Sequence, residues 1–269
     1  MAMEVRDSLE IAHTAEYLNF LKCYFRAFSV ILLQITTPQM TDNPEHKLRN
    51  IVVEILNRLP HSEVLRPFVQ DLLKVAMQVL TTDNEENGLI CIRIIFDLLR
   101  NFRPTLENEV QPFLDFVCKI YSNFEATVNH FFFVKEEKGV AGPAVGEDIK
   151  PMDTSLDQSL SGGSTSYTAG GKLNPNTCSF KIITESPLVV MFLFQLYSRL
   201  VQTNIPHLLP KMVAAISVRG PESVPPHLKT HFTELKGAQV KVSSCYLSVY
   251  ISINCSHSVA SFTHPYTPY

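Results

Sequence analysis

Apolar residues recur at every third or fourth position along most of the chain. In residues 48–59, for example, Leu48, Ile51, Val52, Ile55 and Leu59 follow this spacing, and Pro60 comes directly after them. Such a spacing places side chains on one face of an α-helix, and proline ends a helix because it lacks a backbone donor. By this criterion, we expect helices over residues 8–35, 44–59, 62–80, 83–103, 107–130 and 188–201, and another that begins near residue 208.

The segment TTDNEENGLICIRIIFDLLRNFRP, residues 81–104, carries the signals of both helix ends. Thr82 or Asp83 can cap the first turn, since their side chains accept hydrogen bonds from free backbone N–H groups. Glu85 and Glu86 follow, where the helix dipole favours negative charge. The apolar stripe of this helix is expected to contain Leu89, Ile92, Ile95, Phe96 and Leu99.

Two of the predicted helices repeat one another. LRPFVQDLLKV in residues 65–75 and VQPFLDFVCKI in residues 110–120 share proline, phenylalanine and lysine at an offset of 45. The helices before them, ending near residues 60 and 104, match more loosely. A two-helix unit of about 40–47 residues is typical of HEAT and armadillo arrays, in which stacked pairs share one core. The sequence therefore predicts an all-α, HEAT/armadillo-like helical-repeat solenoid of stacked antiparallel helix pairs.

The composition changes twice along the chain. Residues 135–178 contain few large apolar side chains and many Gly, Ser, Thr and Pro, so we expect a long disordered insertion. Residues 251–269 lack helical period and caps, which predicts an irregular tail. Helical repeats are accordingly expected in residues 1–134 and 179–250. Because no polar capping repeat closes the array, the sequence also suggests a fragment of a longer solenoid.

Charge and cysteine content exclude several classes of protein. The chain has 23 Lys and Arg against 26 Asp and Glu, so it lacks the excess of basic residues that would indicate binding to nucleic acid or to an anionic membrane. Its most apolar segments are interrupted by polar residues, and no secretory signal begins the chain. The six cysteines form no C-x-x-C pair, so we expect buried free thiols in a reducing compartment: Cys23, Cys91, Cys118, Cys178, Cys245 and Cys255.

Two candidate sites, a phosphate-binding loop and a metal site, are rejected because the residues around them do not fit. Lys172 ends a Gly-rich run as in a phosphate-binding loop, but Leu173 stands where Ser or Thr is needed. His227 and His231 have the spacing of two metal ligands on one helix face, but no third ligand is evident. We therefore expect no catalytic residues, no cofactor and no metal site, and we do not expect an enzyme.

Six segments carry a resemblance to a known family: HKLRNIVVEILNRLP (46–60), LRP (65–67), DNEENGLICIRIIFDLLRNFRP (83–104), FLDFVCKIY (113–121), SFK (179–181) and ESPLVVMFLFQLY (185–197). Over roughly residues 15–250 the chain resembles the N-terminal region of the transformation/transcription domain-associated protein (TRRAP) family. The resemblance implies a helical-repeat scaffold of the phosphatidylinositol-3-kinase-related family, whose kinase-like domain lacks catalytic residues. Members are subunits of SAGA-type histone acetyltransferase complexes and dock transcription activators.

The functional hypothesis is therefore a non-catalytic nuclear interaction module. Its expected partners are proteins, namely acetyltransferase complex subunits and transcription activators, with no direct nucleic-acid or membrane contact. The alternative is a generic HEAT-repeat transport or adaptor protein in the cytoplasm. As a candidate partner surface we select polar residues of one helix that are expected to be exposed: Glu85, Glu86, Asn87, Arg93 and Arg100.

Overall fold

The computed structural model describes residues 2–7, 9–34, 44–133 and 179–260, and all regular structure within these ranges is helical. This confirms the predicted all-α class. Short 3₁₀ helices lie at Leu9–His13, Glu63–Phe68, Glu107–Glu109 and Pro226–Leu228. The α-helices are α1 (Ala2–Asp7), α2 (Tyr17–Leu33), α3 (Pro44–Asn57), α4 (Val69–Thr82), α5 (Glu85–Asn101), α6 (Arg103–Leu106), α7 (Gln111–Ser122), α8 (Phe124–Phe132), α9 (Phe180–Leu196), α10 (Ser198–Ser217) and α11 (Lys229–Ala260).

The longer helices form two layers. In the first, which we call the α5 layer, α3 packs on α5, α5 on α9 and α9 on α11. In the second, the α4 layer, α2 packs on α4, α4 on α7 and α7 on α10. Successive long helices alternate between the layers along the chain, as they must in a solenoid of helix pairs. The repeated sequences of residues 65–75 and 110–120 occupy equivalent places, at α4 and α7.

The core lies between the two layers and follows the predicted periodicity. In α5, Ile92, Ile95 and Leu99 are fully buried, while Leu89 and Phe96 are partly buried. The same period buries the inward face of each neighbouring helix, so one continuous apolar cluster joins the first repeats to the last. Each helix pair therefore depends on the next pair for the burial of its second face.

Several predicted helices have other bounds in the structure. The helix expected over residues 62–80 begins with a 3₁₀ turn and is α-helical only from Val69. The helix expected over residues 188–201 instead starts at Phe180 and ends at Leu196, and α10 runs without a break from Ser198 past residue 208.

The helix expected over residues 8–35 begins only at Tyr17, because Thr14 turns the chain before it: its hydroxyl donates to the Ile11 carbonyl at 2.8 Å and accepts from the Glu16 backbone N–H. Local side-chain bonds of this kind compete with helical ones. The helix expected over residues 107–130 is split at Asn123 into α7 and α8.

The predicted irregular tail of residues 251–269 is wrong for its first ten residues, because α11 continues to Ala260. No glycine or proline interrupts the chain between Gly237 and Pro265. An existing helix extends easily, because each added residue gains a hydrogen bond for one pair of fixed dihedrals. Residues 261–269 and the predicted disordered insertion at residues 135–178 lie outside the described residues.

The cysteines differ in their exposure. Cys91 and Cys245 are buried free thiols, as predicted, and Cys118 is half-buried. Cys23 is exposed, which corrects the expectation of burial. Burial raises the pKa of the Cys245 thiol to about 12 and also raises that of Cys91. Cys178 and Cys255 fall among the residues whose side chains are not described.

We expect the difference in exposure among the cysteines to determine how fast each one is alkylated in the native chain at pH 8. Thiolate is the reacting form, so Cys91 and Cys245 should react at least about 100-fold more slowly than Cys23. Peptide mass spectrometry after timed iodoacetamide treatment measures the three rates, and the same chain in urea is the control. Equal rates in the folded protein would contradict the burial of the two thiols.

Candidate protein-interaction surface

Three of the five residues selected from the sequence share the outward face of α5. Glu86, Arg93 and Arg100 are separated by seven residues each, which is close to two helical turns, and all three are exposed. We call these three residues the α5 ridge. Because it lies in the middle of the α5 layer, helices flank it on both sides.

Asn87 does not belong to this surface, and its selection as an exposed residue was wrong. Its side chain is 0% exposed, and its Oδ1 accepts a hydrogen bond from Asn50 of α3 at 3.0 Å. Its Nδ2 has no hydrogen-bond partner among the described residues. The reason is register: Asn87 is the third residue of α5 and points toward α3, whereas Glu86 beside it points outward.

Glu85 joins helices rather than standing free on the surface. One carboxylate oxygen accepts from the hydroxyl of Ser179, the N-cap of α9, and the other accepts from Lys181 Nζ at 2.8 Å. Lys181 Nζ also lies 3.8 Å from a Glu234 carboxylate oxygen on α11. The hydrogen bond with Glu85 raises the pKa of Lys181. These contacts link three successive helices of the α5 layer at one end.

A cavity of about 320 Å³ lies on one side of the α5 ridge. It opens between α1, α3 and α5, and Glu86 forms part of its wall. Its other lining residues combine apolar, basic and amide side chains: Met3, His46, Lys47, Asn50 and Ile51.

A second cavity, of about 300 Å³, lies on the other side of the ridge between α5, α9 and α11. Arg93 stands at its edge and forms no ion pair with any described residue, which leaves its guanidinium donors available. The remaining walls are of mixed charge: Leu89, Lys181, Thr184, Glu185, Glu234 and Gly237. Such a surface can offer hydrogen bonds and charge to a protein partner.

A buried ion pair supports the start of α5. Arg49 of α3 donates to Asp83 through Nε at 2.7 Å, and both side chains are almost fully buried. Asp83 Oδ1 in turn accepts from the backbone N–H of Asn84, which is the actual N-cap of α5 in place of Thr82 or Asp83. Asn84 accepts from the backbone N–H of Asn87 at 2.9 Å. The pair thereby fixes where α5 begins.

Arg49 also holds the end of α2. Its remaining donors reach the carbonyls of Ile31, Leu32 and Gln34 at 2.8 to 3.2 Å. The last carbonyls of a helix have no partner within the helix, and a basic side chain can satisfy them. Sequence reasoning missed this residue, although a signal exists: Arg49 falls in register with the buried Val52, Val53 and Leu56 of α3.

The other candidate sites are also placed by the structure. His227 lies in a 3₁₀ helix before α11, so it does not share a helix with His231. His231 Nδ1 instead lies 3.3 Å from Glu234. In the described part of the chain, no group of three or more His, Cys, Asp or Glu side chains is arranged to hold a metal ion. Lys172 lies outside the described residues.

None of the described helices combines the length and the apolar character that crossing a membrane requires.

Comparison with known proteins gives a consistent group of relatives. Probable transcription-associated protein 1 of Dictyostelium discoideum is 32% identical, over 93% of this chain and 7% of that protein. Transformation/transcription domain-associated protein of Homo sapiens is 30% identical, over 91% of this chain and 6% of its own length. The SAGA complex/NuA4 acetyltransferase complex subunit TRA1 of Saccharomyces cerevisiae is 26% identical, over 80% of this chain and 6% of its own length.

The chain spans 6% to 7% of the length of these relatives. No protein-family model matches it, and no solved structure matches it. The matches to relatives nevertheless extend over both halves of the helical array, on either side of residues 134–178, and they come from an amoeba, an animal and a yeast. The chain belongs to the transformation/transcription domain-associated protein family.

Proposed function

We propose that this chain is a non-catalytic interaction module of a nuclear transcription coactivator, acting within a SAGA- or NuA4-type histone acetyltransferase complex. The observation that carries the proposal is the similarity over 80% of the chain to a yeast protein named as a subunit of both complexes. The fold supports it, since stacked helix pairs present long continuous surfaces and suit a scaffold. Docking of transcription activators is part of the proposal.

The α5 ridge and the two cavities beside it form the proposed contact surface. Arg93 contributes a guanidinium group that has no described ion-pair partner, and arginine is enriched at the energetic centres of protein interfaces. The ridge is also held firmly, because α5 is fixed at its start by the buried ion pair and packs on α3, α4 and α9. A rigid helix loses little entropy when a partner binds.

Affinity capture from nuclear extract tests this proposal. The tagged chain is expected to recover histone acetyltransferase subunits, and the variant Arg93→Glu/Arg100→Glu is expected to recover about tenfold less, since reversing two exposed charges costs on the order of 1–2 kcal/mol. The matched control is Arg26→Glu/Arg199→Glu, which makes the same change at exposed arginines of the α4 layer.

Equal recovery with both double variants would place the contact elsewhere on the array. Recovery of transport receptors in the absence of acetyltransferase subunits would favour a cytoplasmic adaptor and reject the coactivator proposal. Helical circular dichroism of each variant shows whether the fold is intact, which separates loss of a contact from loss of structure.

A further inference from the structure

A partly exposed aromatic pair lies on the outward side of the two middle helices of the α5 layer. The ring centroids of Phe96 in α5 and Phe192 in α9 are 4.6 Å apart, and neither side chain is fully buried. Leu188, one turn before Phe192, is 59% exposed. These three side chains, which we call the apolar patch, line the groove between α5 and α9.

The apolar patch is not a face on which a further helix pair would stack. The pairs of a solenoid stack side by side within each layer, and α5 and α9 are already flanked within their layer by α3 and α11. Apolar side chains that stay exposed between these two helices are therefore not buried by a continuation of the array. Adjacent exposed apolar side chains of this kind mark an interaction site.

The two helices that form the groove run parallel and level with each other. Glu85 of α5 accepts a hydrogen bond from Lys181 of α9, and farther along the same two helices Phe96 contacts Phe192. The residues of both pairs are 96 positions apart in the sequence. Residues of α5 and α9 that are separated by this number therefore lie at the same level along the groove.

Arg93 and Arg100 of the α5 ridge lie on either side of the apolar patch. In this register Arg93 is beside Leu188, and Arg100 is one turn beyond Phe96. The two arginines are two helical turns apart, about 10 Å along the axis. Neither forms an ion pair or a side-chain hydrogen bond with any described residue. Guanidinium groups bind carboxylates in preference to other side chains, so a partner of this groove needs two carboxylates at the same spacing.

We propose that the groove between α5 and α9 binds an acidic amphipathic helix of a partner protein. Two carboxylates of that helix, two turns apart, bind Arg93 and Arg100, and large apolar side chains between them cover the apolar patch. Residues two turns apart share one face of a helix, so both helices present the same spacing when they lie side by side. The inference rests on the proposed function in taking the α5 ridge as a contact surface, and it adds the chemistry of the partner.

Acidic side chains at the start of the groove restrict where the partner can carry its charge. Glu185 and Glu234 line the cavity there, and Glu185 lies one turn before Leu188 without an ion-pair partner among the described residues. A carboxylate of the partner at that level would face a like charge, which is unfavourable. The groove therefore discriminates between helices that have the same net charge but carry it at different positions.

Fluorescence anisotropy with the purified 269-residue chain and two labelled synthetic peptides tests the proposal. Each peptide is an alanine-based helix of about 16 residues, and both have the same composition. The matched peptide has glutamate as its fourth and eleventh residues, with leucine and phenylalanine as its seventh and eighth. The control peptide has its glutamates at the sixth and thirteenth positions, on the opposite face. The matched peptide is expected to bind with a dissociation constant below about 100 μM, and the control at least about tenfold more weakly.

Variants of the chain locate the binding. Leu188→Glu is expected to weaken the matched peptide at least about tenfold, because it places a charge in the apolar patch. Leu33→Glu is the matched control: Leu33 is 47% exposed on α2, in the other layer, and its replacement should change the affinity less than about twofold. Both leucines are exposed, so neither change should reduce helical circular dichroism.

An exchange of charge separates a direct contact from an indirect effect. Arg93→Glu/Arg100→Glu should lose the matched peptide, and it should bind a third peptide, in which lysine replaces both glutamates, at least about tenfold more tightly than the wild-type chain does. A variant that is merely misfolded cannot gain affinity in this way.

Four results would overturn the proposal: no binding of the matched peptide, equal binding of both glutamate peptides, an equal loss with Leu188→Glu and Leu33→Glu, or no gain on charge exchange. The measurement is independent of the coactivator proposal, because the purified chain brings no acetyltransferase subunits with it. Capture of those subunits from nuclear extract without binding of the matched peptide would reject this inference alone. Binding of the matched peptide without such capture would uphold it and reject the coactivator proposal.

Discussion

Replacing Asp83 by alanine is expected to lower the free energy of unfolding by about 3–5 kcal/mol. The change leaves the Arg49 guanidinium buried with no carboxylate beside it, and an unpaired buried charge is far more costly than the intact pair is stabilising. It also removes the acceptor for the Asn84 backbone N–H. The loss is a large fraction of the roughly 5–15 kcal/mol by which a typical domain is stable.

Urea denaturation followed by circular dichroism measures this effect. The matched control is Asp71→Ala, which removes an exposed carboxylate of α4 whose nearest cation, Lys74 Nζ, is 3.9 Å away. We expect it to cost less than about 0.5 kcal/mol, as exposed pairs usually do. A similar cost for both variants would mean that Asp83 and Arg49 are not the buried pair that the structure shows.

A double-mutant cycle separates the pair from its individual residues. Arg49→Met should also be strongly destabilising, because it leaves the buried Asp83 carboxylate without a cation and the carbonyls at the end of α2 without the donors of Arg49. The double variant Arg49→Met/Asp83→Ala should cost less than the sum of the two single changes by about 1–3 kcal/mol, since no buried charge remains. Additive costs would argue against a direct contact.

The apolar part of the fold could be predicted from the sequence because it depends on period alone. Ile92, Ile95 and Leu99 follow the 3.6-residue repeat of a helix and are buried whatever lies against them. The offset of 45 between the repeated segments in turn placed α4 and α7 in the same layer. Both inferences need only the order of residues along one helix or two, which a sequence contains.

The polar part could not be predicted, because it depends on partners that are distant along the chain. Asp83 was predicted as a possible N-cap of α5, and its partner Arg49 lies 34 residues away. Asn87 was selected among the polar residues expected to be exposed, yet it is buried and faces α3. Periodicity indicates which face of a helix is buried, and it gives no information on which charged group another helix brings to that face.

In the candidate surface, too, the exposure of residues could be predicted from the sequence, whereas contacts between distant residues could not. The exposure of Glu86, Arg93 and Arg100 follows from their spacing and was predicted. The role of Glu85 could not be, because Ser179 and Lys181 reach it from the far side of residues 134–178. The long sequence separation of these contacts is what allows one helix start to join α5, α9 and α11.

The second large effect is expected at the junction of α8 and α9, where Phe180→Ala should lower the free energy of unfolding by about 3–5 kcal/mol. Phe180 is 1% exposed, and its ring centroid lies 5.1 Å from that of Phe131 and 6.1 Å from that of Phe124. Removing the ring leaves a cavity and loses the aromatic contacts around it. Phe180→Leu, which keeps most of the volume, should cost much less.

Phe133→Ala is the matched control for this change. Phe133 directly follows α8 and is 55% exposed, so its removal should cost less than about 0.5 kcal/mol in the same urea denaturation. Amide hydrogen exchange then locates the effect: in Phe180→Ala, protection should fall most at the start of α9, where Ser179 and Lys181 meet Glu85. Equal costs for the two phenylalanines, or a loss of protection confined to α2 and α3, would contradict Phe180 as a buried anchor of the α8–α9 junction.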